Sequence, residues 1–314
     1  ITSLAIKGME EMKHGPFLMA VQFFSAHRPF DPPHKYEHIY DSVRIPEPAT
    51  FWDDYSTRSA AAREARMRID DMMDFNPPKD LTRRQRRQWS YQQLMRHFLG
   101  TLKAQDDNIG RLLDYLDKSG LAENTIVVLT GDHGFFLGDH GWFDKRFMYE
   151  ESLRVPWLIR YPGLIKPGSV SDSWVVNIDN APTILDMAGI KIPDDMQGQS
   201  LLPVFRGKTP ADWRHSMYYH YYEFAPPHWV LPCYGIRTER YKLIYYYTIN
   251  EWELFDLQKD PDEMENLFVK EGMDIKPGYE GVLKDLLSQL AALREKYRDD
   301  TGSPLKFWPR QSYN

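Results

Sequence analysis

An aspartate and a histidine stand side by side at the end of a short apolar run, in Thr130-Gly131-Asp132-His133-Gly134. Residues 125–130 are β-branched and apolar and predict a buried strand. In open α/β sheets ligands gather beyond the carboxyl ends of strands. The flanking glycines let the backbone turn tightly there. A carboxylate beside an imidazole at such a point makes half of a divalent-metal site. Two ligands do not complete one, so the others must come from elsewhere. Taken alone, Asp-His-Gly reads equally well as a solvated turn.

Other reactive side chains lie nearby in sequence. Lys145 follows Asp144 and, judged by itself, forms a surface salt bridge with Asp144 or Asp139. His140, in Gly138-Asp139-His140-Gly141, reads first as a turn former, and Arg146 adds a second cation. His27 sits in a loop with Pro29, Pro32 and Pro33, where its plain role is to stack on Phe30. His228 and Trp229, in the proline-rich loop 225–232, are candidates for contacting a sugar. Cys233 is the single cysteine, which excludes an intrachain disulfide and a cysteine-based metal cage.

The elements that must position these groups follow from periodicity. Leu4, Ile6, Met9 and Met12 recur at helical spacing, with Thr2 or Ser3 as cap and Gly15-Pro16 as stop. Residues 17–25 predict a continuous apolar strand of the kind buried in a parallel sheet. Residues 46–80 are rich in proline, aspartate and arginine and predict a long surface excursion. A long helix is expected from Leu81-Thr82 to about Lys118, its basic run 82–87 forming a solvated face and Gly120 its C-cap. A strand at 155–160 and a helix near 180–188 complete an α/β alternation. After about Pro210 short tyrosine-rich stretches at 215–223, 234–239, 241–247 and 252–256 predict a small antiparallel sheet. An amphipathic helix over 280–297 would cover one of its faces.

The fold class expected is therefore α/β: a mostly parallel central sheet flanked by helices, plus a small C-terminal antiparallel sheet with a covering helix. The division expected is 1–209 for the catalytic α/β part and 210–314 for the C-terminal α+β subdomain. With 314 residues the chain exceeds what one core usually needs. A net charge of −6 without a basic surplus argues against nucleic acid as partner. No apolar run reaches the ~18 residues that span a bilayer. Aromatics make up 14% of the chain, an excess that sugar stacking would explain and that a large aromatic core explains better.

The stretch from Asp132 through Gly141-Trp142-Phe143-Asp144-Lys145-Arg146 to Glu150-Glu151-Ser152 and Arg154-Val155-Pro156 resembles the second signature region of type I sulfatases, in the alkaline-phosphatase superfamily. Four further stretches resemble that family in the same order. They are the His27 loop, residues 106–113, residues 234–244, and residues 253–267. The resemblance covers nearly the whole chain and corresponds to the C-terminal two-thirds of a family member, with the N-terminal part missing.

What the resemblance implies is specific. Asp132 and His133 would ligate a divalent cation, calcium first and magnesium or manganese as alternatives. Lys145 would bind a sulfate oxygen, and His27 would donate a proton to the departing alcohol. His140, Arg146 and His228 are the candidate substrate contacts. The family's nucleophile is a formylglycine made from Cys or Ser, expected on the missing N-terminal segment. Cys233-Tyr234-Gly235-Ile236-Arg237 is a decoy for its motif, and Cys233 is expected to be a packed thiol. The expected substrate is a sulfated glycan, a glycosaminoglycan or mucin-type chain such as one bearing N-acetylglucosamine-6-sulfate. The alternatives are a phosphonate monoester or phosphodiester hydrolase and a non-catalytic glycan-binding remnant. Export to a periplasmic, extracellular or lysosomal compartment follows from the resemblance alone. These 314 residues by themselves are expected to be inactive and poorly soluble, because a sheet lacking its first strands exposes an apolar edge.

Overall fold

The computed structural model describes residues 1–224, 229–269 and 274–302. In chain order the helices are α1 (Thr2–Met12), α2 (Ala60–Glu64), α3 (Arg83–Lys118), α4 (Glu150–Leu153), α5 (Asn180–Met187), α6 (Leu202–Phe205) and α7 (Glu280–Lys296). The strands are β1 (Val127–Thr130), β2 (Phe136–Leu137), β3 (Phe143–Asp144), β4 (Trp157–Arg160), β5 (Ser216–Tyr221), β6 (Cys233–Thr238), β7 (Tyr241–Tyr246), β8 (Glu251–Asp256), β9 (Phe268–Val269) and β10 (Asp274–Ile275). Two compact units are interleaved along the chain. The first comprises Ile1–Pro48, Arg68–Thr130 and Pro156–Pro167; the second comprises Ala49–Met67, Gly131–Val155 and Gly168–Asn314.

In the first unit α3 is the organising element. Thr82 starts it with a capping box: its hydroxyl accepts from the Gln85 backbone N–H, and the Gln85 side chain accepts from the Thr82 N–H at 3.0 Å. Its buried face carries Tyr91, Leu94, Met95, Ala104 and Leu116, while Leu102 is 38% exposed. Gly100 is where the loop before the helix crosses it; a Cβ there would stand 2.9 Å from the Tyr36 carbonyl oxygen. The basic run departs from expectation. Arg87 is buried and donates to Asp70 at 2.7 Å, and Arg83 donates to the same carboxylate. Burial alone would raise the pKa of Asp70, yet the two guanidiniums hold it below the usual range. Part of what reads as a solvated face is thus a buried clamp.

α1 forms as expected but buries Ala5 and Met9, leaving Leu4 exposed. β1 and β4 pair antiparallel, with Val127 opposite Arg160 and Thr130 opposite Trp157. Residues 17–24 are extended and alternate half-covered and exposed side chains, without joining a sheet among the described residues. The α/β class therefore stands, whereas every strand pair described is antiparallel. Leu18, Phe24 and Leu158 lie exposed in this unit.

In the second unit β5, β6, β7 and β8 form an antiparallel meander in that order. Period-two alternation splits its side chains between two cores. Tyr234, Ile236, Leu243, Tyr245 and Leu254 meet Leu286 and Leu290 of α7, the covering helix anticipated from its pattern. Cys233, Ile244, Tyr246 and Phe255, on the opposite face, pack against Phe136, Trp142, Phe147, Met148 and Tyr149. Aromatics thus serve the core. Gly235 lets these layers meet, since a Cβ there would lie 2.3 Å from the Leu243 carbonyl oxygen and 2.5 Å from Met148 Sδ. Among the described residues no helix is long and apolar enough to cross a membrane.

Candidate active site

The turn after β1 is shaped by Gly134, whose N–H donates to the Ser152 carbonyl at 2.8 Å. A Cβ on Gly134 would sit 2.0 Å from the Glu151 carbonyl oxygen, so only glycine lets this turn lie against α4. Asp132 projects outward with its side chain 87% exposed, beside His133 at 34%. His133 Nδ1 lies 2.7 Å from the Gly134 carbonyl oxygen. A carbonyl only accepts, so Nδ1 carries a proton, which leaves Nε2 as the ring nitrogen turned toward Asp132. That Nε2 faces Asp132 Oδ2 at 3.3 Å. A carboxylate oxygen beside an imidazole nitrogen oriented in this way fits a divalent cation. Among the described residues no group of three or more His, Cys, Asp or Glu side chains is assembled, so the two form a pair and not a closed site.

Lys145 lies just beyond the β2–β3 hairpin, in which Phe136 pairs with Asp144 and Leu137 with Phe143. Its neighbours Asp144 and Arg146 both adopt left-handed backbone, at φ 79° and 103°. Lys145 Nζ is 3.3 Å from Asp144 Oδ1, and Arg146 Nη1 lies 2.6 Å from Asp144 Oδ2 as an ion pair. The Asp144 carboxylate is buried between the two cations, and each cationic side chain is 19% exposed. Arg146 is further tied by its backbone: its N–H donates to Ser152 Oγ at 3.2 Å and its carbonyl accepts from the Tyr219 hydroxyl at 2.7 Å. His140 is fully enclosed. The structure gives it the turn-forming place, with φ 54°, and not a surface one.

His27 belongs to the first unit and is exposed. Its ring lies 5.3 Å from Phe24, tilted by 48°, and its Nδ1 donates to the Arg28 carbonyl at 3.1 Å. Phe24, and not Phe30, is its aromatic neighbour; Phe30 is buried against Phe75 and Phe98. His228 lies outside the described residues. Cys233 is a buried thiol on β6 whose pKa is pushed far up by burial, as that of a packed and unreactive sulfur would be.

Residues 49–67 are the part of the site that sequence reasoning missed. They form no loose excursion. Arg58 and Asp53 are a buried pair 3.1 Å apart, and Glu253 on β8 accepts from the Ser59 N–H and hydroxyl at 2.9 and 2.8 Å. Glu251 accepts from the Ala60 N–H at 2.7 Å, and Met67 accepts from the Phe143 N–H at 2.9 Å. A run of Asp and Arg looks solvated until Asp53 and Arg58 pair inside the fold and the neighbouring Ser59 and Ala60 N–H groups meet carboxylates some 190 positions away. The one available signal was the alanine triplet Ala60-Ala61-Ala62, whose members are all buried.

Residues 2–190 match the family model described as Sulfatase, and residues 138–296 match that described as N-sulphoglucosamine sulphohydrolase, C-terminal. The chain is 42% identical to an N-acetylglucosamine-6-O-sulfatase of Bacteroides thetaiotaomicron, an alignment covering 96% of this chain and 62% of that protein. It therefore spans less than two-thirds of that relative's length. The fold is similar to a solved structure of a protein in complex with its substrate D-glucosamine-2-N,6-O-disulfate, with a TM-score of 0.88 and 40% identity, covering 97% of this chain and 70% of that one. It is also similar to a phosphonate monoester hydrolase from Silicibacter pomeroyi, with a TM-score of 0.79 and 26% identity, covering 96% and 60%.

Proposed function

Since this chain belongs to the sulfatase family, we propose that the protein hydrolyses sulfate monoesters on a sulfated carbohydrate, such as a glycan bearing N-acetylglucosamine-6-sulfate. The observation that carries this is the 42% identity to an N-acetylglucosamine-6-O-sulfatase across 96% of the chain. The likeness to a structure holding a 6-O-sulfated glucosamine supports the same substrate class.

The family works with a divalent metal and a formylglycine. Asp132 and His133 are the residues proposed to hold the metal, calcium first because a carboxylate oxygen suits it, with magnesium or manganese as alternatives. A bound cation supplies positive charge toward which sulfate oxygens orient. Lys145 is proposed to bind a sulfate oxygen and to offset the charge growing on the ester oxygen as the S–O bond lengthens. Its pairing with Asp144 at 3.3 Å keeps the ammonium on a short leash without enclosing it. Arg146, tied to the same carboxylate, adds positive field there. His27 is proposed to deliver the proton that the departing alcohol requires. The formylglycine is proposed to come from a part of the same protein N-terminal to these residues, and an exported compartment is proposed from the family alone.

The phosphonate monoester hydrolase of similar fold makes a second reading specific enough to test. Turnover of N-acetylglucosamine-6-sulfate, an aryl sulfate and an aryl phosphonate by the complete protein separates the two. Faster hydrolysis of the sulfates, lost on chelation, is expected. Lys145→Ala should lower kcat by about 100- to 1000-fold. Faster hydrolysis of the phosphonate would establish the second reading, and binding of glycan without turnover of any ester would establish a non-catalytic remnant.

A further inference from the structure

The enclosed His140 is gripped by a segment remote in sequence. Its N–H donates to Thr50 Oγ1 at 2.9 Å, its carbonyl accepts from the Tyr55 hydroxyl at 2.5 Å, and its Nδ1 lies 3.0 Å from Asp53 Oδ2. A carboxylate only accepts, so the proton sits on Nδ1. Asp53 is in turn held in place. Its Oδ1 accepts from the Tyr55 N–H at 2.9 Å, and its Oδ2 also meets Arg58 at 3.1 Å. Both side chains are buried, Asp53 at 4% and His140 at 0%. Asp53 stays ionised in spite of burial because His140 and Arg58 favour its charged form.

This grip bears on the backbone leading to Lys145. Trp142 is sandwiched between Tyr55, stacked 5.2 Å away, and Phe147, stacked 4.6 Å away. The Phe143 N–H is bound by Met67 from the same segment. His140, Asp144 and Arg146 all take left-handed backbone, a conformation that non-glycine residues hold only when their surroundings impose it. The contacts from Thr50, Asp53, Tyr55 and Met67 impose it from one side. Those from Tyr219 and Ser152 impose it from the other.

We propose that Asp53, acting through His140, is a positioning residue for Lys145: the buried carboxylate–imidazole pair fixes the turn that sets where the ammonium meets the substrate's sulfate group. The proposal rests on the assignment of Lys145 to the sulfate. It goes further by giving a catalytic consequence to a segment that carries no group for the reaction. No proton moves through the pair; its work is geometric, and a misplacement of ~1 Å at the ammonium is enough to cost about 100-fold in rate.

A double-mutant cycle on the full-length protein with an aryl sulfate decides it. Asp53→Asn should lower kcat at least about tenfold in the wild-type background with little change in KM, and less than about threefold in the Lys145→Ala background. Equal fold-losses in the two backgrounds, or no loss in the wild type, would overturn the proposal, because a purely structural role multiplies through regardless of Lys145. Should Asp53→Asn not fold, Tyr55→Phe removes only the hydroxyl bond to the His140 carbonyl and keeps the Trp142 stack; the same cycle and thresholds apply. Unchanged activity of Lys145→Ala alone would overturn the Lys145 assignment itself, an outcome visible before Asp53 is touched.

Discussion

Lys242 Nζ and Glu263 Oε1 lie 2.7 Å apart with both side chains shut off from solvent, and the same ammonium is 2.9 Å from Glu150. One cation shared by two carboxylates settles their protonation unequally. Burial raises both, but Lys242 and Arg237 together hold Glu150 down to about 2, whereas burial pushes Glu263 up to about 7 against the pull of Lys242. Between roughly pH 4.3 and about 7 the folded chain keeps a proton on Glu263 that the unfolded chain has released. Stability contributed by this group is therefore full below that window and lost as pH rises through it. The Glu150 contribution runs the other way and is lost only on acidification below roughly pH 4.3. Melting temperatures taken from about pH 5 to about pH 8 should fall in the wild type relative to Glu263→Gln; parallel curves would contradict this.

The Asp132–His133 pair predicts a metal phenotype that can be read without turnover. Asp132→Asn removes the charged oxygen donor and should weaken calcium binding, measured calorimetrically on the complete protein, by at least about 100-fold. His133→Asn keeps a neutral donor of similar reach and should stay within about tenfold. Equal affinity for wild type and Asp132→Asn would remove Asp132 from the site.

Arg87 and Asp70 predict a stability phenotype far from chemistry. Replacing Arg87 by Met keeps the apolar stem and leaves Asp70 buried with Arg83, itself mostly exposed, as its remaining cation. A loss of about 3 kcal/mol in urea unfolding is expected, since an under-compensated buried charge costs that much. A loss under about 0.5 kcal/mol would mean that the pair is a solvated surface bridge after all.

Gly235 admits no side chain. With the Leu243 carbonyl oxygen 2.3 Å and Met148 Sδ 2.5 Å from the ideal Cβ position, Gly235→Ala must part β6 from β7 and displace Met148. A destabilisation of about 2–3 kcal/mol is expected by denaturant titration. An unchanged midpoint would show that the two layers part freely.

Much of the fold is legible in the order of residues. α3 lies where Thr82 and Gly120 punctuate it, and the meander β5–β8 follows the tyrosine-rich stretches, because capping residues and period-two alternation act within a few positions. The chemical identities at 132, 133 and 145 are legible as well, since residue type and order are local facts. The pairing of β1 is not. An apolar strand advertises burial but does not name its neighbour, and here that neighbour, β4, runs antiparallel.

Taken by itself, the amino-acid sequence determined the family, the ends of the long helix and the strands of the C-terminal meander, all of which depend on short-range propensity or on side-chain type. Only the tertiary structure decided that residues 49–67 enclose the turn bearing Lys145, that His140 is interior, and that Arg87 faces Asp70 instead of water. The reason is physical: a charged side chain looks the same in sequence whether water or a distant counter-charge solvates it. Burial becomes tolerable only when the fold sets an opposite charge against it.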